Sequence, residues 1–400
     1  MKSVYSESII KEIANGINEL IDKAIITHDT KIVLYGLDTY SFGMRTILSN
    51  LGYQVDSYIS NDHVSLLQVR RRIKAFSARY LNSVRDLMGI YTVEERLIPY
   101  DEEVVILVAS KNYEEVKNQL EAMDYKEGTN FYCMFDWRND PFMDKMQGKR
   151  VVTLQEMHEK EKGMLACLDS FCNEKGLRYW VCGGTLLGTI RHQGFIPWDD
   201  DVDVFMPWED YQRFVNEFVD DTGYSLVGPD ITDREDFILL FSKIIDNETI
   251  VREDVKTYRY VRPISIDIFP LIGLPDDAGD RKTYFTDYAE LEKKIWEDFY
   301  ALNGDLKVFN KWYPQQKEFL KKYDFDVQQY VGVLATSYGE KDCTTRRVYD
   351  KTLRMPFEDI EVNVPAGYKE YLDNLYGKGW MELPDESKRK VNHGAVTYWL

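Results

Sequence analysis

The sequence has no apolar run near the ~20 residues needed to cross a bilayer. Its longest candidates, such as Val104 to Ala109, have the length of one buried strand. The opening MKSVYSESIIKEI has no apolar core and no small-residue cleavage site, so it does not read as a secretory signal, and a cytoplasmic chain is the default expectation. Cysteine is scarce. Five residues, Cys133, Cys167, Cys172, Cys182 and Cys343, make an odd number with no repeated C-x-x-C. That fits reduced, mostly buried thiols better than a disulfide framework or a zinc site. Basic residues are outnumbered, 50 Lys+Arg against 68 Asp+Glu, and the net charge of −18 argues against bulk affinity for nucleic acid or anionic membrane. Internal repeats, heptads and low-complexity tracts are missing too.

What is present is aromatic and apolar. The 28 Tyr, 19 Phe and 8 Trp, with 44% hydrophobic residues, exclude an intrinsically disordered chain. Four hundred residues suffice for two or three domains. Lys31 to Gly36 (KIVLYG) reads as a strand, Phe42 to Leu51 as a helix stopped by Gly52, and Gln54 to Ser60 as a second strand. After a helical stretch at 63 to 88, Val104 to Ala109 supplies a buried strand. Residues 1–137 are therefore expected to form an open α/β domain, resembling the degenerate Rossmann-like domains in front of sugar-modifying enzymes. Its loop Gly36-Leu-Asp-Thr-Tyr-Ser-Phe-Gly43 is not G-x-G-x-x-G and carries Asp38, so a tight strand-to-helix connection is the preferred reading over nucleotide binding. Pro, Gly and charges at 138–150 mark a linker. Beyond it, Leu154, Met157, Met164, Leu165, Leu168 and Cys172 form the apolar stripe of a helix ending near Gly176, interrupted by Glu161. A polar, aromatic-rich helical region is expected from about 280 to 350, and another helix from Tyr368 to Tyr376.

The densest chemical signal is Tyr179 to Met206, YWVCGGTLLGTIRHQGFIPWDDDVDVFM. If 201 to 206 is a strand, its period of two puts Asp201 and Asp203 on one face, about 7 Å apart. Four aspartates within five residues repel one another unless a cation intervenes, which makes Mg²⁺ or Mn²⁺ the natural resident. An EF-hand starting at Asp199 fails, because its sixth position is Val204 and its twelfth Asp210. Asp199 joins the metal shell if the strand begins early, and Asp200 points the opposite way. Trp198 and Trp208 read as cleft walls, and an aromatic face such as that of Trp198 suits a quaternary ammonium. His158 lies on the apolar-striped helix without a second His and reads as structural.

The pair Gly183-Gly184 followed by Asp201-x-Asp203 resembles the nucleotidyltransferase-fold signature, and the string GGTLLGTIRHQGFIPWDDDVDV resembles the LicD family of phosphocholine transferases and the related fukutin-related ribitol-phosphate transferases. Ser265 to Leu271 (SIDIFPL), Phe241-Ser-Lys243-Ile, Pro356-Phe357-Glu358, Pro365 to Tyr368, Leu375-Tyr376-Gly377 and Leu383 to His393 resemble later motifs of the same family, so the resemblance covers about 150 to 395. It implies that residues 151–400 form an α+β nucleotidyltransferase-like catalytic domain with a mixed sheet and additional helices.

It also implies the chemistry. A phospho-alcohol group, phosphocholine from CDP-choline first, passes from a CDP-activated alcohol donor to a hydroxyl of a glycan or lipid-linked glycan acceptor, releasing CMP. Asp201, Asp203 and Asp267 would hold the metal, with Asp267 the best candidate to take the acceptor's proton. Gly183, Gly184 and Thr185 would approach the donor, and Lys243 and Arg191 would steady phosphate charge, unless Arg191 instead pairs with the aspartates. His192 and His393 are weaker substrate-binding candidates, since a lone His is more often packed or solvated. The implied enzyme has no nucleic-acid partner and no transmembrane segment, and it works in the cytoplasm or at the inner face of the membrane beside glycan-assembly machinery. The alternatives are a nucleotidyltransferase releasing pyrophosphate and a non-catalytic glycan- or nucleotide-binding protein.

Overall fold

The computed structural model describes all residues except 1–3, 37–38, 61–89, 93–102, 111, 136–140, 220–222, 234–235, 256–257, 336–338 and 390–394. The expected helical stretch at 63 to 88, Asp38 of the glycine loop and His393 lie outside the described residues.

Five strands of the N-terminal part form one parallel sheet in the spatial order Ile90–Thr92, Ser57–Ser60, Lys31–Tyr35, Val104–Val108, Phe131–Cys133. Strands covered on both faces read as unbroken apolar runs, and Val104–Val108 is buried at every position. Its two faces serve separate cores. Val105 and Leu107, with Ile32 and Leu34, meet helices Ile9–Asp22 and Thr39–Asn50. Val104, Ile106 and Val108, with Val33 and Tyr35, meet Val116 and Leu120 of helix Tyr113–Glu121.

This part shares backbone with the rest of the chain. Strand Tyr5–Ser8 pairs with Tyr258–Arg262 in a four-stranded sheet closed by Thr249–Val255 and Thr397–Trp399. The first core extends into Phe299, Tyr300 and Phe309 of helices Ala278–Ala301 and Val308–Leu320. The segment expected as a linker contains helix Pro141–Met146, and its Phe142 and Met146 are buried against Ile250, Val261 and Tyr398.

Helix Leu154–Lys175 begins in a capping box, in which Thr153 and Glu156 satisfy each other's backbone N–H groups, and ends at Gly176 in the left-handed conformation. The hydrogen bond from the Thr153 N–H, with Arg150 alongside, holds the Glu156 carboxyl down at about 2. The helix packs on a seven-stranded mixed sheet whose longest strand is Ser265–Leu274. That strand runs parallel to Asp203–Pro207 and antiparallel to Ser242–Asp246 and Tyr330–Gly332. Trp180–Val181 pairs antiparallel with Asp203–Pro207. The expected helical region of 280 to 350 holds only as far as Leu320, since Tyr330–Gly332 and Thr344–Thr345 add strands to this sheet. Helix Tyr368–Tyr376 lies where expected. Among the described residues no helix is long and apolar enough to cross a membrane, and the five cysteines are free thiols.

Candidate active site

Sheet register assembles the site. Asp203 opens its strand and stands opposite Asp267 in the parallel pair, while Asp267 stands opposite Lys243 in the antiparallel pair. Residues opposite one another in a sheet project to the same face, so three strands bring a lysine and two aspartates into one row. The Lys243 ammonium donates to Asp267 Oδ1, and both side chains are largely shielded from solvent, 6% and 19% exposed. The strand starts later than the sequence predicts, at Asp203. Asp201 sits in the extended lead-in, where the Asp267 N–H donates to Val202 O at 2.8 Å.

The glycine pair starts helix Gly183–His192 beneath these acids. Gly183 takes φ +51°, which favours glycine, and a Cβ there would meet Asp203 Oδ2 at 3.4 Å. A Cβ on Gly184 would lie 2.6 Å from Asp199 Oδ2. The glycines thus let the helix approach the carboxylates. The Gly183 N–H already donates to the Tyr371 hydroxyl, and Thr185 is buried with its Oγ1 accepting from the Asp203 N–H at 2.8 Å, so Thr185 fixes an acid from behind. His158, stacked on Phe195 with ring centroids 4.0 Å apart, bonds through Nε2 to Asp199 O. The acidic loop is therefore held at both ends.

A cavity of about 380 Å³ opens over this loop. Gly184, Asp199, Asp201 and Asp203 form one wall, and Trp198, Arg191, Tyr376, Trp380, Glu382 and Lys388 enclose it. Arg191 spends Nη1 on the carbonyls of Trp380 and Glu382, at 2.9 and 3.3 Å, and its Nε faces His192 Nδ1. His192 stands edge-on to Trp198 with ring centroids 6.4 Å apart; burial, then Arg191, lowers its pKa. Trp208 is buried and stacked on Tyr211, so it belongs to the core and not to the cleft wall. Asp200 faces the other side of the loop, lining a cavity of about 20 Å³ with Glu161 and Arg262. Glu161, the charged interruption of the apolar stripe, is buried with no partner for Oε2; desolvation, then Asp201, raises its pKa well above the carboxylate range.

The same forces act on Asp203. Burial raises its pKa well above normal, Asp201 and Asp267 add to the rise, and Lys243 opposes it. Among the described residues no three carboxylate, histidine or cysteine side chains already form a closed ligand set. The donor chemistry nevertheless suits a hard divalent cation, because Asp199, Asp201 and Asp203 bring three carboxylates to the lining of one cavity, where burial and the neighbouring acids disfavour ionisation of Asp203. Asp267 does not line that cavity; it stands opposite Asp203 in the sheet with one oxygen committed to Lys243.

Residues 176–330, which span this row of strands, match the family model described as the LicD/FKTN/FKRP nucleotidyltransferase domain. The chain contains a LicD-family domain. Over 269 residues it is 29% identical to the lipopolysaccharide cholinephosphotransferase LicD of Haemophilus influenzae, covering 62% of this chain and 99% of that protein. A 35-residue stretch is 57% identical to the human ribitol 5-phosphate transferase FKRP, covering 9% of this chain and 7% of that one.

The cavity of this LicD-family domain draws on residues outside the acidic motif that sequence reading did not assign. Tyr376, Trp380 and Glu382 come from the C-terminal segment, and Glu358 Oε1 accepts from the Phe195 N–H, pinning the turn that leads into the acidic loop. The Pro356-Phe357-Glu358 motif was the available signal, without a role. One substitution tests the close approach at the glycine pair. In Gly184→Ala the new Cβ displaces only the Asp199 carboxylate, so thermal unfolding should stay near that of the unaltered chain and, if Asp199 is a cation ligand, divalent-cation affinity should fall about tenfold. Unchanged cation affinity in a calorimetric titration would count against Asp199 as a ligand.

Proposed function

We propose that this protein is a divalent-cation-dependent transferase that moves a phospho-alcohol group from a CDP-activated alcohol to a hydroxyl of a glycan or lipid-linked glycan, releasing CMP. The supporting observation is the row Asp203, Asp267, Lys243 in a LicD-family domain, with Asp203 lining a cavity together with Asp199 and Asp201. Phosphocholine is the first candidate group because the bacterial relative that aligns over nearly its whole length is named a cholinephosphotransferase. Trp198 does not carry that choice, since the Arg389 guanidinium already lies over its ring, 5.6 Å from the centroid.

In this reading Asp201 and Asp203, with Asp199 beside them, would hold Mg²⁺ or Mn²⁺, which would supply neutralisation of charge on the diphosphate oxygens. Asp267, oriented by Lys243, takes the acceptor hydroxyl's proton as the oxygen attacks the distal phosphorus and CMP leaves. Thr185 and Tyr371 keep Asp203 and the glycine turn in place through their hydrogen bonds. The parallel order of the N-terminal sheet supports a Rossmann-like reading of that part, which is tied to the rest of the chain through Tyr5–Ser8 in the four-stranded sheet.

CMP release from CDP-choline, CDP-ribitol and CDP-glycerol should be measured with glycan acceptor, Mg²⁺ and then EDTA. At least one donor should release CMP with Mg²⁺, lose that release with EDTA and regain it with excess Mg²⁺. No release from any donor, or release indifferent to EDTA, would overturn the proposal.

A further inference from the structure

The cavity wall carries four carboxylates, Asp199, Asp201, Asp203 and Glu382, so an anionic ligand entering it needs positive charge from this chain as well as from any cation. The cationic side chains nearby are mostly committed. Lys243 is paired with Asp267, Arg191 is bonded to the carbonyls of Trp380 and Glu382, and Arg389 donates through Nε to Pro384 O while its guanidinium covers Trp198. Lys388 differs. It lines the cavity, and no carboxylate among the described residues forms an ion pair with it.

Its placement is specific. Lys388 closes the short turn Glu386–Lys388, where its N–H donates to Asp385 O and the Arg389 N–H donates to Glu386 O. Arg389 anchors that turn to the Trp198 ring, and Arg191 anchors the preceding chain at Trp380 and Glu382. Two arginines that sequence reading associates with phosphate or leaves unassigned thus hold the wall, while the adjacent lysine reaches the space they enclose. A lysine ammonium on a flexible stem suits a phosphate as a point charge.

We propose that Lys388 binds a phosphate oxygen of the nucleotide diphosphate donor and that Arg389 is a positioning residue for it. The assignment rests on the reading above that the donor is a nucleotide diphosphate. It adds to the site a cation from a segment outside the residues matched by the family model.

The test uses the full chain with Mg²⁺ and measures both initial-rate CMP release and calorimetric binding of the CDP-alcohol that the unaltered chain prefers. Lys388→Ala should raise donor KM and Kd about tenfold with kcat little changed, as expected for a lost charge-assisted contact, and Lys388→Arg should recover most of the loss. Arg389→Ala should raise KM in the same direction by less, and Lys388→Ala with Arg389→Ala should be no worse than Lys388→Ala alone. Donor KM and Kd unchanged in Lys388→Ala, while the unaltered chain turns the donor over, would overturn the assignment and leave the proposed function standing. An unaltered chain that neither binds nor turns over any CDP-alcohol would overturn both.

Discussion

Asp203→Asn should lose activity about a thousandfold and, with EDTA present, unfold at a higher temperature than the unaltered chain. The activity loss follows if Asp203 is the buried member of a cation-binding pair, since a neutral amide removes the charge that holds the cation over the reacting diphosphate, an effect worth several kcal/mol. The stability gain follows from the direction of its pKa. Burial, Asp201 and Asp267 raise the folded-state value above that of the unfolded chain, so Asp203's contribution to stability is present below the unfolded carboxylate range and lost as pH rises through the folded value. The unaltered chain should therefore lose stability relative to Asp203→Asn as pH rises above about 4, the ordinary range of an aspartate. Saturating Mg²⁺ should reverse the order, stabilising the unaltered chain and leaving Asp203→Asn nearly unmoved. Thermal unfolding across pH with EDTA or Mg²⁺ checks both halves. An asparagine variant that is less stable than the unaltered chain in EDTA at neutral pH would contradict this account of the site.

Breaking the Lys243–Asp267 pair should carry the largest folding cost at the site. Lys243→Met conserves the stem's volume but leaves Asp267, on a central strand, facing Asp203 without its counter-charge. Removing one partner of a buried pair costs about 3 kcal/mol, much of it the desolvation of the charge left behind. Asp267→Asn strands the ammonium and should cost a similar amount. The double variant Lys243→Met with Asp267→Asn leaves neither charge, so its loss should fall short of the sum of the two by about 1 to 3 kcal/mol. Urea denaturation of the four proteins measures the coupling, and additive losses would show that the pair does not act as a unit. Activity should be lost in all three variants, because Asp267 is altered or misplaced in each.

The part of the site carried by local pattern was legible in the sequence. Alternation marked Asp203 as strand-borne, the apolar stripe with Gly176 marked helix Leu154–Lys175, and the D-I-F-P element singled out Asp267 through its family resemblance. Long-range register was not legible. Nothing within YWVCGGTLLG states that Thr185 will meet the Asp203 N–H or that the Gly183 N–H will meet Tyr371, 188 positions away. Lys243 looked available for phosphate, yet the antiparallel register sets it on Asp267. Arg191 lines the cavity, but nothing local showed that its Nη1 would go to backbone carbonyls of a segment that folds back from the C-terminal end. The N-terminal strand Tyr5–Ser8 was missed because a four-residue edge is defined by its partner, Tyr258–Arg262, more than by its own residues. The expected boundary at 138–150 had the composition of a linker, but apolar residues at Phe142 and Met146 dock one side of a short helix there while Met143, Asp144 and Lys145 stay exposed.

Transfer of a phospho-alcohol group at these carboxylates would have CMP as its leaving group. Phosphorus NMR of the products, from the full chain with Mg²⁺, the CDP-alcohol it prefers and a glycan acceptor, tests it directly. CMP and a new phosphodiester on the glycan should form in equal amounts, and both should be lost in Asp203→Asn. Pyrophosphate among the products, a nucleotide retained on the acceptor, or unchanged turnover in Asp203→Asn would contradict it.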